Sequence, residues 1–73
     1  MYWIDLAVGA TYRLRHELEV RDEKTGTLKV HLRAGSTILV RRIEAELDHV
    51  YVEGISLPLR MSALRRMVQP AGA

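Results

Sequence analysis

The chain has no cysteine, no phenylalanine and only two prolines, and no apolar run in it approaches the length of a bilayer-spanning segment. The lack of cysteine excludes disulfides and thiolate metal sites, on which secreted domains of this size usually depend, so a cytoplasmic setting is expected. One tryptophan and three tyrosines are the only aromatic side chains, a poor supply for a surface that stacks nucleic-acid bases. Repeats, low-complexity tracts and linkers are also lacking. With 73 residues there is room for one core and no second lobe, so residues 1–73 read as a single domain. A chain this short buries only about 60% of the surface its unfolded form exposes, which leaves a slim stability margin. The stretch 1–8 is apolar but short and carries Asp5. It reads as an N-terminal arm or extra strand, and as neither a signal peptide nor a membrane span. Residues 70–73 read as a frayed tail.

What is present is an uneven charge distribution. The net charge is +2, yet residues 1–53 hold eight Lys/Arg against nine Asp/Glu, while 54–73 hold Arg60, Arg65 and Arg66 and no acid. This basic pole suits phosphate or an acidic protein face, although three arginines are few beside nucleic-acid-binding arms.

Apolar residues alternate with period two at Tyr12, Leu14, Leu18 and Val20 and again at Leu28, Val30 and Leu32, the pattern of half-buried strands. Between them lies a polar run, 22–27, with Gly26 where a hairpin loop needs positive φ. Two registers keep the apolar positions on one face. A three-residue loop at 24–26 suits the turn chemistry, whereas a five-residue loop at 22–26 sets Glu19 against Lys29 and Glu17 against His31. After a break at 34–36, a β-branched strand runs from Thr37 toward Leu47. Its apolar phase shifts from even at Ile38 and Val40 to odd at Ile43, Ala45 and Leu47, which places a bulge or bend at Arg41-Arg42. Further strands are expected at 50–53 and 55–59 with Gly54 between them, then one helical turn at 62–64 and a last strand over 65–69.

The expected fold class is therefore mostly β: a small antiparallel barrel with one short helical turn near the C-terminus. The element order over 9–69 resembles that of Src-homology-three-like small barrels. That group includes many protein-binding and nucleic-acid-binding modules, so the resemblance implies binding and fixes no partner.

No constellation for catalysis emerges. His16, His31 and His49 lack metal-motif spacing, His16 falling on the core-facing phase and the other two on charged faces. Glu17 and Glu19 share a face as a carboxylate pair, but with Arg13, Arg15 and Lys29 nearby an ion-paired surface accounts for them. Ser36, Ser56 and Ser62 sit in no nucleophile elbow, and the single-glycine turn 34–36 is no phosphate loop. Neither enzyme activity nor a metal or cofactor is expected.

Two surface features remain as partner-binding candidates. The first is the arm with Tyr2, Trp3, Ile4 and Leu6, which holds the only tryptophan. Such a segment either covers the open end of a small core or offers hot-spot anchors to another chain. The second is Arg41, Arg42, Arg60, Arg65 and Arg66 with Tyr51, either a solvated basic face or one that grips phosphate.

The run MYWIDLAVGATYRLR, with the length and the arginine-rich, cysteine-free composition, resembles the small transcription regulators of Xanthomonas-infecting lytic phages. The resemblance implies a protein that binds the host's bacterial RNA polymerase, inhibits transcription initiation and acts as an antiterminator in the host cytoplasm. It assigns no binding residue. A small-barrel nucleic-acid binder using the arginine face is the alternative. A monomer is expected, with no membrane partner and nucleic acid at most a weak contact. The reading of the histidines has a direct check: titration with zinc should leave the thermal unfolding temperature unchanged.

Overall fold

A computed structural model describes residues 2–71. Seven strands form: β1 (Thr11–Leu14), β2 (Leu18–Arg21), β3 (Leu28–Leu32), β4 (Thr37–Glu44), β5 (His49–Val52), β6 (Leu59–Arg60) and β7 (Val68–Pro70). One helix, α1 (Met61–Met67), lies between β6 and β7, and a 3-10 turn, Ala45–Leu47, joins β4 to β5. The strands make two antiparallel sheets: a five-stranded one in the order β6-β5-β4-β1-β7 and the separate hairpin β2-β3. The mostly β class is as expected, but the barrel is not closed. Each sheet ends on strands that pair on one side only.

The period-two pattern explains the core. Tyr12, Leu14, Ile38, Val40, Val50 and Val52 point inward from β1, β4 and β5, joined by Leu59, Leu64 and Val68, and among the described residues no charged or polar one is buried with them. Each such aliphatic side chain contributes about 1.5–3 kcal/mol by leaving water. In β4 the phase shift has its predicted cause. Val40 pairs with Val52 but Arg42 pairs with Tyr51, a bulge that leaves Ile43 half-buried. The chain leaves the strand before Leu47, however. That residue is 61% exposed on the 3-10 turn, and Asp48 follows in the left-handed region at φ 58°.

The hairpin takes the register of the three-residue loop: Leu18 pairs with Leu32, Glu19 with His31 and Val20 with Val30, with an irregularity after Val20. Asp22 sets the turn, its Oδ1 accepting from the backbone N–H groups of Lys24 and Thr25, an Asx turn ahead of the positive φ at Gly26. The alternation from Tyr12 to Val20 is nevertheless not one strand. The chain bends at 15–17, so β1 joins the large sheet and β2 the hairpin. This overturns the core-facing phase of His16, which is exposed on the bend.

Three other expectations are corrected near the C-terminus. Residues 53–58 form no strand: Gly54 turns the chain at φ 82°, Ile55 N–H bonds back to Val52, and Pro58 has no donor to give a ladder. The single helical turn is instead α1, seven residues long. It takes in Arg65 and Arg66, since a run of Met, Ala, Leu and Arg favours helix over strand and cations suit a helix's last turn. Finally, Pro70 is strand rather than tail. It pairs with Tyr12, and Ala71 N–H bonds to the Thr11 carbonyl; residues 72 and 73 lie outside the described residues.

The start of α1 is capped from a distance. Asp48 Oδ1 accepts from the Ser62 backbone N–H at 2.8 Å, and Asp48 Oδ2 accepts from the Ser62 hydroxyl at 2.7 Å. Arg60, at the N-cap position, makes no side-chain cap of its own. Leu64 is the helix's buried anchor, 1% exposed. Leu64→Ala should therefore lose about 2–5 kcal/mol in urea unfolding, enough to unfold much of so small a domain.

Candidate functional site

The N-terminal arm is not a strand, yet it is held at both ends of its described length. Tyr2 donates its hydroxyl to the Val68 carbonyl at 2.8 Å, and Ile4 N–H bonds to the Arg65 carbonyl at 3.1 Å. Further along, Ala7 N–H donates to the Tyr12 hydroxyl at 2.8 Å, and Gly9 N–H donates to the Val40 carbonyl. Ile4 and Leu6 are half-buried and pack against the core, which leaves Tyr2 at 42%, Trp3 at 51% and Val8 at 63% exposure. The arm is thus a cover on its inner side and an aromatic surface on its outer side. Met1 lies outside the described residues.

Guanidinium groups flank both aromatic rings. Arg15 lies 3.9 Å from the centroid of Tyr2, and Arg65 lies 5.4 Å from that of Trp3, within the range of cation–π attraction. The Tyr2 ring is held by its hydroxyl on the Val68 carbonyl and by Arg15 over its face, and the Trp3 ring lies beside Arg65. Arg65 Nε is buried and has no hydrogen-bond partner among the described residues.

The remaining candidates do not all join this cluster. Arg65 does; Arg66 is exposed beside it on α1, and Arg60 is exposed just before the helix. Arg41, Arg42 and Tyr51 form a second cluster on β4 and β5, where Arg42 stacks 4.4 Å over Tyr51. Each arginine there has a carboxylate at hand, Arg41 with Glu53 and Arg42 with Glu44. That pairing halves the case for a phosphate grip, because a phosphate would have to displace a glutamate. No hydrogen bond, ion pair or stacking contact among the described residues joins the two clusters.

Of the carboxylate pair, Glu19 is ion-paired, with Arg21 and not with Arg13, Arg15 or Lys29, and Glu17 meets the His31 that the five-residue loop had set against it. Glu17 meets His31 Nε2 at 3.0 Å and Glu19 meets Arg21 at 3.3 Å. Glu17, Glu19 and His31 bring their ligand atoms within 4.8 Å of one another, all on exposed side chains. His49 stands edge-on to Tyr51 with its Nδ1 buried and without a hydrogen bond among the described residues.

Sequence reasoning missed Arg15, Tyr12 and the Asp48–Ser62 pair. Tyr12 alone carried a usable signal: a tyrosine on the core-facing phase must find a partner for its hydroxyl, and that partner is the arm. Asp48 and Ser62 are fourteen residues apart and offered none. The Ser62 hydroxyl, then the Ser62 N–H, holds the Asp48 carboxyl below its ordinary value; Arg60 and Arg65 add to this and burial opposes it.

Comparison with protein-family models, curated proteins and solved structures finds no match. Among the described residues, no helix is long and apolar enough to cross a membrane.

Because the Asp48 carboxyl titrates lower in the folded chain than in the unfolded one, its stabilising effect is fully present above the unfolded value of about 3.9. It fades as pH falls through the lower folded value. Ser62→Ala should raise the Asp48 pKa toward the ordinary carboxylate value, read by carbon-detected NMR titration, and should shift the acid limb of the unfolding profile upward.

Proposed function

We propose that the chain is a regulator that acts by binding protein: it docks on bacterial RNA polymerase, inhibits transcription initiation and acts as an antiterminator. The observation that carries the docking part is the arm. Trp3 is half exposed although Tyr2 before it is bonded to the fold through its side-chain hydroxyl and Ile4 after it through its backbone N–H, and Arg65 is stacked against it. A large apolar ring kept in solvent by a rigid mount costs solvation and returns nothing to the core, whereas at an interface Trp, Tyr and Arg are the residues that dominate binding. The mount also lowers the ordering cost at association. The polymerase as partner rests on the resemblance of the chain to the phage regulators. A small barrel of the Src-homology-three-like kind, left open between its two sheets, is compatible with this role.

Acting on a large enzyme in this way requires no reacting group. A ligand that binds one conformational state of the polymerase better than another shifts its population by that difference in affinity. The nucleic-acid reading is weaker because Arg41 and Arg42 each face a glutamate.

Immobilised wild-type protein should retain polymerase subunits from a nuclease-treated bacterial lysate at moderate salt, and Trp3→Ala combined with Arg65→Ala should lose most of that retention. Loss of an aromatic and an arginine anchor typically costs about 2 kcal/mol or more each. Retention of no polymerase subunit by the wild type overturns the proposal. Retention that disappears on nuclease treatment supports the nucleic-acid reading instead.

A further inference from the structure

Over residues 2–7 the arm bonds in turn to β7, α1 and β1: the Tyr2 hydroxyl to the Val68 carbonyl, Ile4 N–H to the Arg65 carbonyl and Ala7 N–H to the Tyr12 hydroxyl. Those elements hold Arg13, Arg65 and Arg66 and no Asp or Glu. Arg15 follows β1 and lies over the Tyr2 ring at 3.9 Å. On the arm itself the acid is Asp5, exposed. Glu17 and Asp48 also come near, and both are engaged. Glu17, just past Arg15 on the bend, meets His31. Asp48 is close enough to Arg65 to titrate lower for it, but it faces Arg60 as well and gives both oxygens to Ser62. Around the exposed Tyr2 and Trp3, then, Arg15, Arg65 and Arg66 stand against Asp5 alone.

The guanidinium groups beside the two rings have donors to spare. Arg21, Arg41 and Arg42 each have a glutamate. Arg15 and Arg65 make no side-chain hydrogen bond and no ion pair among the described residues. For Arg65 this includes a buried Nε, while its Nη groups are not buried and can be reached. A guanidinium that is partly buried and lacks an acceptor is an unmet demand. A carboxylate meets it with two parallel N–H···O bonds in the guanidinium plane, which leaves the contact with the aromatic ring in place. Phosphate offers similar bonds, but nucleic acid held on aromatic residues also needs ring faces for its bases, and Arg15 and Arg65 already lie against these rings. The half-exposed indole of Trp3 is better matched by an apolar side chain of a protein.

We infer, resting on the reading of the arm as a docking surface, that its outer face selects an acidic protein segment. An apolar side chain of that segment covers Trp3, and carboxylates flanking it meet Arg65 and Arg15. Arg66, exposed on the last turn of α1, adds attraction for the same charge at longer range.

The whole chain carries a single tryptophan, so its fluorescence reports on Trp3 alone. The probes are an end-blocked seven-residue peptide with a central leucine between glutamates, and the same peptide with lysine in place of glutamate. The glutamate peptide should move the Trp3 emission to shorter wavelength and bind about tenfold more tightly than the lysine peptide, or better, a preference that shrinks as salt rises. Arg15→Ala combined with Arg65→Ala should weaken the glutamate peptide about tenfold or more. Lys24→Ala combined with Lys29→Ala, which removes the same charge from the hairpin, should leave its affinity unchanged. Equal affinity of the wild type for the two peptides, or no emission change at millimolar glutamate peptide, overturns the acidic partner even where polymerase is retained. Equal losses from the two double substitutions overturn the site in favour of net charge. An oligothymidylate of equal length that binds as tightly as the glutamate peptide overturns the choice of protein over nucleic acid. A glutamate preference that depends on Arg15 and Arg65, with no polymerase subunit retained, upholds the acidic segment and overturns the polymerase reading alone.

Discussion

Tyr12 is the residue on which the rest of the structure depends. Its ring is 6% exposed and sits in the core of the large sheet, while its backbone pairs with Ile38 on one side and Pro70 on the other. It thus ties together strands from the beginning, middle and end of the chain. Its hydroxyl, at the core's margin, accepts from Ala7 and lies 3.4 Å from the Asp5 carbonyl. A phenol in that position satisfies itself only by holding the arm, so the demand for a hydrogen bond at one buried side chain decides where the N-terminal segment runs.

That route has consequences for the other end of the molecule. An arm drawn across α1 and β7 places Tyr2 and Trp3 beside Arg15 and Arg65, residues far apart in sequence. The helix is itself positioned by a second long-range demand, the pairing of Asp48 with Ser62. The exposed aromatic surface is therefore a by-product of two satisfied polar groups, one at each end of the elements beneath it. A rigid surface of this kind pays little conformational entropy when covered.

Period and turn chemistry were enough to reveal the strands that bury one face. Leu18, Val20, Val30 and Leu32 announced the hairpin and excluded a one-residue slip, which would have moved each apolar side chain into water. Two registers remained open, and the pairing of Leu18 with Leu32 shows which one forms. The change of phase at Arg41-Arg42 announced the bulge. Where local pattern and tertiary demand part company, the sequence misleads. His16 continues the alternation on paper, but nothing apolar rewards its burial and the chain bends there. Arg65 and Arg66 look like strand ends until the helix propensity of their neighbours is weighed. The candidate surface was legible as composition, tryptophan and arginines, but not as geometry. Which arginine meets Trp3 follows from the path of the arm, and that path hangs on a hydroxyl whose partner is a backbone amide, invisible in any pattern of side chains.

The hairpin carries a further meaning in how it is attached. Its two roots are fastened to each other: Gly35 N–H bonds to the Leu14 carbonyl, and Leu14 N–H bonds to the Ser36 carbonyl. The large sheet therefore closes across residues 14 and 36 without any help from what lies between them. The segment returns to the fold through Leu18, Val20 and Leu32, which pack against the core, and its turn lies beyond them. Doubling the length of such an excursion costs only about 0.6 kcal/mol in loop closure, so its tip is free to lengthen, shorten and change sequence while β1 and β4 keep their register. The tip is thus the part of the chain where a change of length or sequence disturbs the large sheet least.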